Sequence, residues 1–411
     1  MKKIRSRAAL GGTSIRETGN EINVAVVGIG NCASSLVQGA HFYVGAEDDA
    51  PGLVHAKIGR YRVDDIRFVA AFDVDPAKVG HDLSKAIFAG QNNADAIADV
   101  PHLDCPVEPG PKLDGVGSSY EKRVSNAVSD GRPRADIVSI LRDREVDVIV
   151  NFLPVGSQEA TEWWAETALE AGCAFVNSIP VFVGRKPEWR DRFAEANLPL
   201  LGDDIKSQLG ATIVHRMLAH LFASRGVRLD RTYQLNVGGN MDFWNMLERD
   251  RLDTKKQSKG EAVTDALPYM MGQDDVHIGP SDYVPWLGDH KLAFIRCEGT
   301  AFGGMPLSIE LKMDVVDSPN SAGVVVDAIR VAKVALDRDD GAGAMRECAP
   351  LLFKAPPYPV ASDGETVDRF NAWIDRPDPN RESRRPAGPT FPQDFDPGQA
   401  ANEPVEPGGF W

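Results

Sequence analysis

Five short apolar runs punctuate the first half of the chain: "INVAVVGIG", "IRFVAAFDV", "VDVIVNFLP", "CAFVNSIP" and "LPLLGDD". Runs this short and this uniformly apolar predict strands buried on both faces. Each is followed by a stretch of helical periodicity, such as "SQEATEWWAETALEAG", and that alternation predicts a parallel α/β sheet. From about residue 229 the pattern changes. "RTYQLNVGGN" and "HKLAFIRCEGTAFGGMPLSIELKMDVVDS" read as longer, partly alternating strands joined by Gly-containing turns, as in a mixed or antiparallel sheet. "NSAGVVVDAIRVAKVALDR" then restores a helix. The expected organisation is an α/β, Rossmann-like parallel-sheet domain over 21–228, a second α+β domain with a mixed sheet over 229–317, and a segment 318–376 that packs back on the first. Residues 1–20 lack patterning, and 377–411 are rich in Pro, Asp and Glu and short of aliphatics, so both ends are expected to be flexible tails.

Composition narrows the function classes. The chain has 411 residues, 43% hydrophobic and 26% charged, enough to bury a sizeable core. No apolar run approaches a membrane span, and the N-terminus has basic residues without a long apolar core, which reads as cytoplasmic. A net charge of −15 argues against nonspecific binding to nucleic acid or to an anionic membrane. The five cysteines are scattered, with no C-x-x-C spacing, so neither a disulfide framework nor a zinc site is indicated.

Three stretches carry candidate chemistry. In "VAVVGIGNCASSLVQG", Gly28, Gly30 and Ala33 form G-x-G-x-x-A between a predicted strand and a predicted helix, where small residues let a pyrophosphate approach backbone amides. Asp73 in "AAFDVD" follows the next strand, placed to read a ribose diol and to favour NAD over NADP. It lies 40 positions after Ala33, because "HFYVGAEDDAPGLVHAKIGRYRVDD" intervenes, so Asp75 or Asp82 could share that role. In "LLGDDIKSQLGATIVHRML", Asp203 and Asp204 end a strand at the ligand-binding edge of the sheet, and Ser207 is a candidate N-cap. An equal alternative is two acids that merely favour the helix dipole, with Lys206 in solvent. The third stretch, "NVGGNMDFWNMLERDRLDTKKQSKGEAV", sets Lys255, Lys256 and Lys259 close together behind Asn and Gly, as though the backbone approached a ligand. Lys291, Lys312 and Lys354 lie in apolar contexts, where an ammonium is costly unless paired with an anion. Taken singly, each lysine reads better as snorkelling to solvent than as doing chemistry.

Together, "VGIGNCASSLVQG", "GDDIKSQLGAT", "LNVGGNMDFWNML", "KKQSK", "HIGPSDYVPWLGDHK" and "DSPNSAG" closely resemble the myo-inositol-1-phosphate (inositol-3-phosphate) synthase family in its compact actinobacterial and archaeal form. The resemblance covers about residues 21–356. It implies a Rossmann domain fused to a catalytic and oligomerisation domain, tightly held NAD, a monovalent or divalent cation left open, glucose 6-phosphate as substrate and a homotetramer. The motif after "GDD" reads "IKSQLGAT" and departs from the eukaryotic Ser-Gly-Gln-Thr-Lys type, so that lysine's role is not carried over.

Transferred by motif, the resemblance implies catalytic roles for Lys255, Lys259, Lys291, Asp317 and Lys354. It places Gly28, Gly30, Asn31, Asp73, Asp82, Asp203, Ser207, Asp242 and Lys255 at the cofactor, and Ser318, Asn320 and Ser321 at the substrate phosphate. On this reading Lys291 takes the C5 hydroxyl proton, polarised by Asp317, and Lys259 stands near the growing C1 oxyanion. Packed, desolvated lysines would have lowered pKa values suited to proton exchange near neutrality. A conventional NAD-dependent sugar or hydroxy-acid dehydrogenase would explain the nucleotide motif but leave the lysines underused, and a non-enzymatic NAD sensor would explain the first domain alone. Removing residues from 377 onward is expected to leave fold and activity intact; a large drop in melting temperature on truncation would show that the segment is docked.

Overall fold

All five apolar runs form strands, and they form them side by side. The computed structural model describes residues 20–117, 123–124, 127–247, 263, 267–272, 274–279, 282–360 and 363–377; Lys255, Lys256, Lys259 and nearly all of both expected tails lie outside these. β1 (Ile22–Val27) turns at glycine into α1 (Asn31–Phe42). The hairpin β2 (Lys57–Ile58) and β3 (Tyr61–Arg62) follows, then β4 (Ile66–Asp73) and, beyond an excursion carrying α2 (Leu83–Ala86), the edge strand β5 (Val107–Pro109). Helices α3 (Arg134–Asp143), α4 (Gln158–Ala171) and α5 (Pro187–Glu195) alternate with β6 (Val148–Asn151), β7 (Ala174–Asn177) and β8 (Leu200–Leu201). The sheet order is β5-β4-β1-β6-β7-β8, and every pairing is parallel. This is the doubly wound order, with its topological switch between β1 and β6.

The second sheet begins after α6 (Ala211–Ser224). β9 (Arg228–Gly238), β12 (His290–Thr300) and β13 (Pro306–Val316) pair antiparallel. β10 (Val276–Ile278) and β11 (Asp282–Tyr283) join β9 in parallel, so the sheet is mixed. Between β9 and β10 lies the short helix α7 (Met241–Asn245). The chain then enters α8 (Asp317–Arg338), α9 (Gly341–Glu347), α10 (Ala349–Leu352) and α11 (Asp363–Ile374). Both sheets belong to one compact unit that ends at Arg376.

Burial explains this arrangement. The alternate faces of β1 feed two cores: Ile22, Val24 and Val26 pack with Leu36 of α1 and Val325 and Ile329 of α8, while Ala25 and Val27 join Trp164, Phe175 and Phe193 on the other side. A third core forms where Ala219 and Phe222 of α6 meet Leu229, Ile295 and Cys297 of the second sheet. The long insertion before β4 is fastened to α8. Arg330, fully buried, donates to the carbonyls of His55 and Ala56 at 2.8 and 3.1 Å, and Tyr61 donates to Asp337. Ser207 is not the N-cap of α6; Gly210 occupies that position without a side-chain cap. Among the described residues no helix is long and apolar enough to cross a membrane.

A histidine is buried where α6 meets β9. His215 of α6 is fully buried, hydrogen-bonded through Nε2 to Thr232 Oγ1 at 2.6 Å and through Nδ1 to Gln234 Oε1 at 3.3 Å. Burial pulls its pKa down to about 4, against the support of Gln234. An unfolded histidine titrates near 6.5, so between these values the unfolded chain binds a proton that the folded chain does not. The contribution is therefore complete above about pH 6.5 and is lost as pH falls toward 4, up to about 3 kcal/mol. Urea unfolding of the wild type and a His215→Gln variant should show the wild type losing stability faster across that window; parallel pH profiles would remove His215 as the cause.

Candidate active site

The switch point between β1 and β6 opens a cleft of ≈ 240 Å³ at the carboxyl edge of the parallel sheet. Gly28 has φ +85°, and a Cβ there would lie 2.7 Å from the Phe152 carbonyl oxygen, so the turn admits glycine alone. At Gly30 a Cβ would meet nothing within 4 Å. That space, faced by the first turn of α1, could hold the pyrophosphate of a dinucleotide.

The acids near this turn divide by position. Asp73 ends β4 and lines the cleft. Its Oδ2 accepts from Ile29 N at 2.7 Å, and its Oδ1 from Val74 N at 2.7 Å and Asp75 N at 2.8 Å. Asp82 does not line the cleft. It caps α2, accepting from the Ser84 hydroxyl and from the amides of Leu103, Cys105 and Ser84, and those bonds hold its carboxyl below the usual range although burial pushes the other way. Asp203 also departs from expectation. Fully buried beneath the cleft wall, it accepts from Asn177 Nδ2 at 2.7 Å and from the amides of Val183, Gly184 and Arg185, and burial raises its pKa to about 6 despite these donors. Its neighbour Asp204 faces the cleft instead.

Two lysine–carboxylate pairs stand across the cleft from the glycine turn. Lys291, at the start of β12, donates to Asp317 Oδ1 at 3.0 Å. Lys354, just beyond α10, donates to Asp204 Oδ1 at 2.6 Å and to the Ile205 carbonyl at 3.0 Å. Asn31, Ser207, Asp242, Ser318 and Ser321 also line this space. Asn320 does not: its side chain bonds both backbone groups of Leu209, at 3.0 and 2.8 Å, and pins the loop before α6. Lys255 and Lys259 lie outside the described residues.

The charge balance corrects one expectation. Burial disfavours the Lys291 ammonium, but Asp317, with Asp242 and Asp204 beyond it, outweighs burial, and the pKa rises above the ordinary lysine value. Lys291 therefore rests protonated. The Asn/Gly-rich approach to the lysine segment also has a cause within the protein. A Cβ at Gly238 would lie 2.4 Å from the Phe243 ring, and one at Gly239 would lie 2.6 Å from Gly288 N, so these glycines are demanded by the protein's own close packing. Cys32, although it lines the cleft, has its thiol pushed up to about 12 by burial. Among the described residues no group of three or more His, Cys, Asp or Glu is arranged to hold a metal ion.

Sequence reasoning missed Asp289. This carboxylate is 3% exposed. Its Oδ1 accepts from Asn31 Nδ2 at 3.0 Å, Asn240 Nδ2 at 2.9 Å and Ser318 Oγ at 2.8 Å, and its Oδ2 from Ser318 N at 3.2 Å. Burial raises its pKa against these donors. Asp289 sits in the turn just before β12, and its donors Asn240 and Asn31 lie 49 and 258 positions away, so no local signal marks it.

The fold and the cleft define a doubly wound parallel sheet joined to a second, mixed sheet, with two lysine–carboxylate pairs lining the cleft beside the glycine turn. Comparison with known proteins makes the class specific. Residues 210–318 match the model of the Myo-inositol-1-phosphate synthase family. The inositol-3-phosphate synthase of Mycolicibacterium smegmatis is 55% identical over 353 residues, 84% of this chain and 96% of that protein. That of Corynebacterium glutamicum is 52% identical over 360 residues, covering 86% and 98%. Among solved structures, a myo-inositol-1-phosphate synthase-related protein from Thermotoga maritima superposes with a TM-score of 0.72 at 25% identity, covering 86% of this chain and 98% of that one. The chain belongs to the inositol-3-phosphate synthase family, and it is an enzyme.

Replacing Asp289 by Asn keeps the shape but turns an amide donor toward groups that already donate. The expected cost is about 1–3 kcal/mol in denaturant unfolding, together with lost activity through a displaced Lys291. Unchanged stability would mean the donors find other acceptors.

Proposed function

We propose that this enzyme cyclises D-glucose 6-phosphate to 1D-myo-inositol 3-phosphate with no net redox change, as the first step of inositol biosynthesis. The observation that carries the reading is the joining, in one cleft, of the glycine turn with Lys291–Asp317 and Lys354–Asp204. The turn at Gly28 and Gly30, with Asp73 beside it, fits NAD, which when bound would accept hydride from C5 of the substrate and later return it.

The remaining chemistry falls to the side chains. Because Lys291 rests protonated, it passes a proton to Asp317 as it takes the one released by the C5 hydroxyl, and it stays an ammonium throughout. That charge then stabilises the C5 oxygen as the substrate phosphate takes the C6 proton and negative charge develops on that oxygen, an interaction stronger in the transition state than in the ground state. Bond formation from C6 to the C1 aldehyde creates a second oxyanion, for which Lys259 is the candidate implied by the family resemblance. Lys354 supplies countercharge for the phosphate, assisted by Ser318 and Ser321 at the start of α8. Leu235 and Phe294, paired on neighbouring strands yet exposed, support a homo-oligomer, read here as a tetramer.

With glucose 6-phosphate deuterated at C5, the label should return to the same carbon, and product should exceed enzyme many times over without NADH accumulating. NADH formed in proportion to product would reject the cyclisation and favour a dehydrogenase. Lys291→Met should fold normally and lose on the order of a hundredfold or more in rate; near-normal turnover would take this lysine out of the chemistry.

A further inference from the structure

Lys78 is 4% exposed and lines the same cleft, beside Asp73 rather than among the substrate lysines. Its ammonium lies 3.8 Å from Asp73 Oδ2 and 3.7 Å from Asp75 Oδ2, between two carboxylates and in hydrogen-bonding reach of neither. By contrast, Lys333 closes on Asp147 at 2.7 Å and Lys354 on Asp204 at 2.6 Å. Asp75 Oδ2 is buried and has no hydrogen-bond partner among the described residues. Nor does the covering loop leave slack, since a Cβ at Gly90 would lie 2.5 Å from that oxygen and 3.3 Å from Lys78 Cε. The ammonium is thus buried with donor capacity that the protein does not consume, an arrangement that is costly unless another acceptor completes it.

Lone-pair counting at Asp73 supplies the acceptor. An ionised carboxylate offers about four acceptor sites. Backbone amides take two on Oδ1 and one on Oδ2. One site remains, on the oxygen nearest Lys78. A carboxylate with both oxygens available can accept from both hydroxyls of a ribose, but Asp73 can serve only one of them.

We propose that Lys78 reads the adenosine ribose jointly with Asp73: Asp73 Oδ2 accepts from one hydroxyl of the diol, and the Lys78 ammonium donates to the other. The proposal rests on the NAD reading above. It also assigns Lys78 a part in selectivity, because Asp73, Asp75 and Lys78 together sum to one negative charge, which disfavours a 2′-phosphate while accommodating a free hydroxyl.

Calorimetric titration of the full-length protein tests this with three ligands: NAD, and NAD carrying 2′-deoxyadenosine or 3′-deoxyadenosine. In the wild type each deoxy ligand should bind about tenfold or more weakly than NAD. Lys78→Met should weaken NAD about ten- to a hundredfold and should no longer respond to removal of one of the two hydroxyls. Lys78→Gln serves as the second variant if the Met form melts early. The same affinity for NAD in a folded Lys78 variant and the wild type overturns the proposal. So does an equal loss toward all three ligands, which would make Lys78 a mere support for Asp73. Should neither variant fold, wild-type protein that binds NAD and both deoxy ligands equally overturns it as well. Wild-type protein that binds no NAD sinks the nicotinamide reading itself, an outcome distinct from the others.

Discussion

A carboxylate at 3% exposure persists only where donors surround it, and Asp289 draws its donors from three separate parts of the fold. Asn31 belongs to the glycine turn of the parallel sheet, Asn240 to the turn after β9, and Ser318 to the first turn of α8. Its backbone carbonyl also accepts from Asp317 N at 2.9 Å. The glycine turn, the lysine of β12 and the acid opening α8 therefore share one anchor. Neither sheet alone would hold the glycine turn, Lys291 and Asp317 in register, because each contributes only part of the donor set.

The electrostatics of the cleft follow from the excess of acid in the chain. The phosphate and oxyanions of the proposed reaction would favour a positive site, yet the described lysines are matched or outnumbered by carboxylates: Asp317, Asp242 and Asp204 around Lys291, and Asp73 and Asp75 around Lys78. At Lys291 such pairing outweighs burial and keeps the ammonium charged. In the reaction proposed above, proton movement then becomes exchange along the Lys291–Asp317 pair, in place of removal by a neutral amine.

Much of this fold was legible because burial leaves an unambiguous mark. The runs at 22–27, 148–151 and 174–177 are apolar on both faces, as only a sheet covered on both sides permits, and Gly28 announced a turn no other residue could make. Lys291 and Lys354 stood out as charges in apolar surroundings. What could not be read depends on three-dimensional partners. Asp203 and Asp204 are adjacent and chemically identical, but one is sealed under a loop while the other, at φ +60°, faces the cleft. Asp289 reads as a turn acid, since nothing local reveals donors 49 and 258 positions away. The glycines at 238 and 239 resembled a ligand approach because a packed ring and a crossing loop impose the same demand for a missing side chain.

The hairpin of β12 and β13 pairs without a slip from His290 opposite Val316 to Thr300 opposite Pro306, so Lys291 and Asp317 sit together at its open end while the turn lies eleven residues away. This geometry separates what can vary from what cannot. Residues gained or lost in matched pairs across the two arms would move the tip and leave the reacting end untouched. A single insertion in one arm would turn every following side chain over to the other face and take the lysine or the aspartate out of the site. Lineages descending from such a chain are thus expected to differ in hairpin length by even, two-sided steps, making the arm a place where surface and assembly can diversify while the chemistry stays fixed.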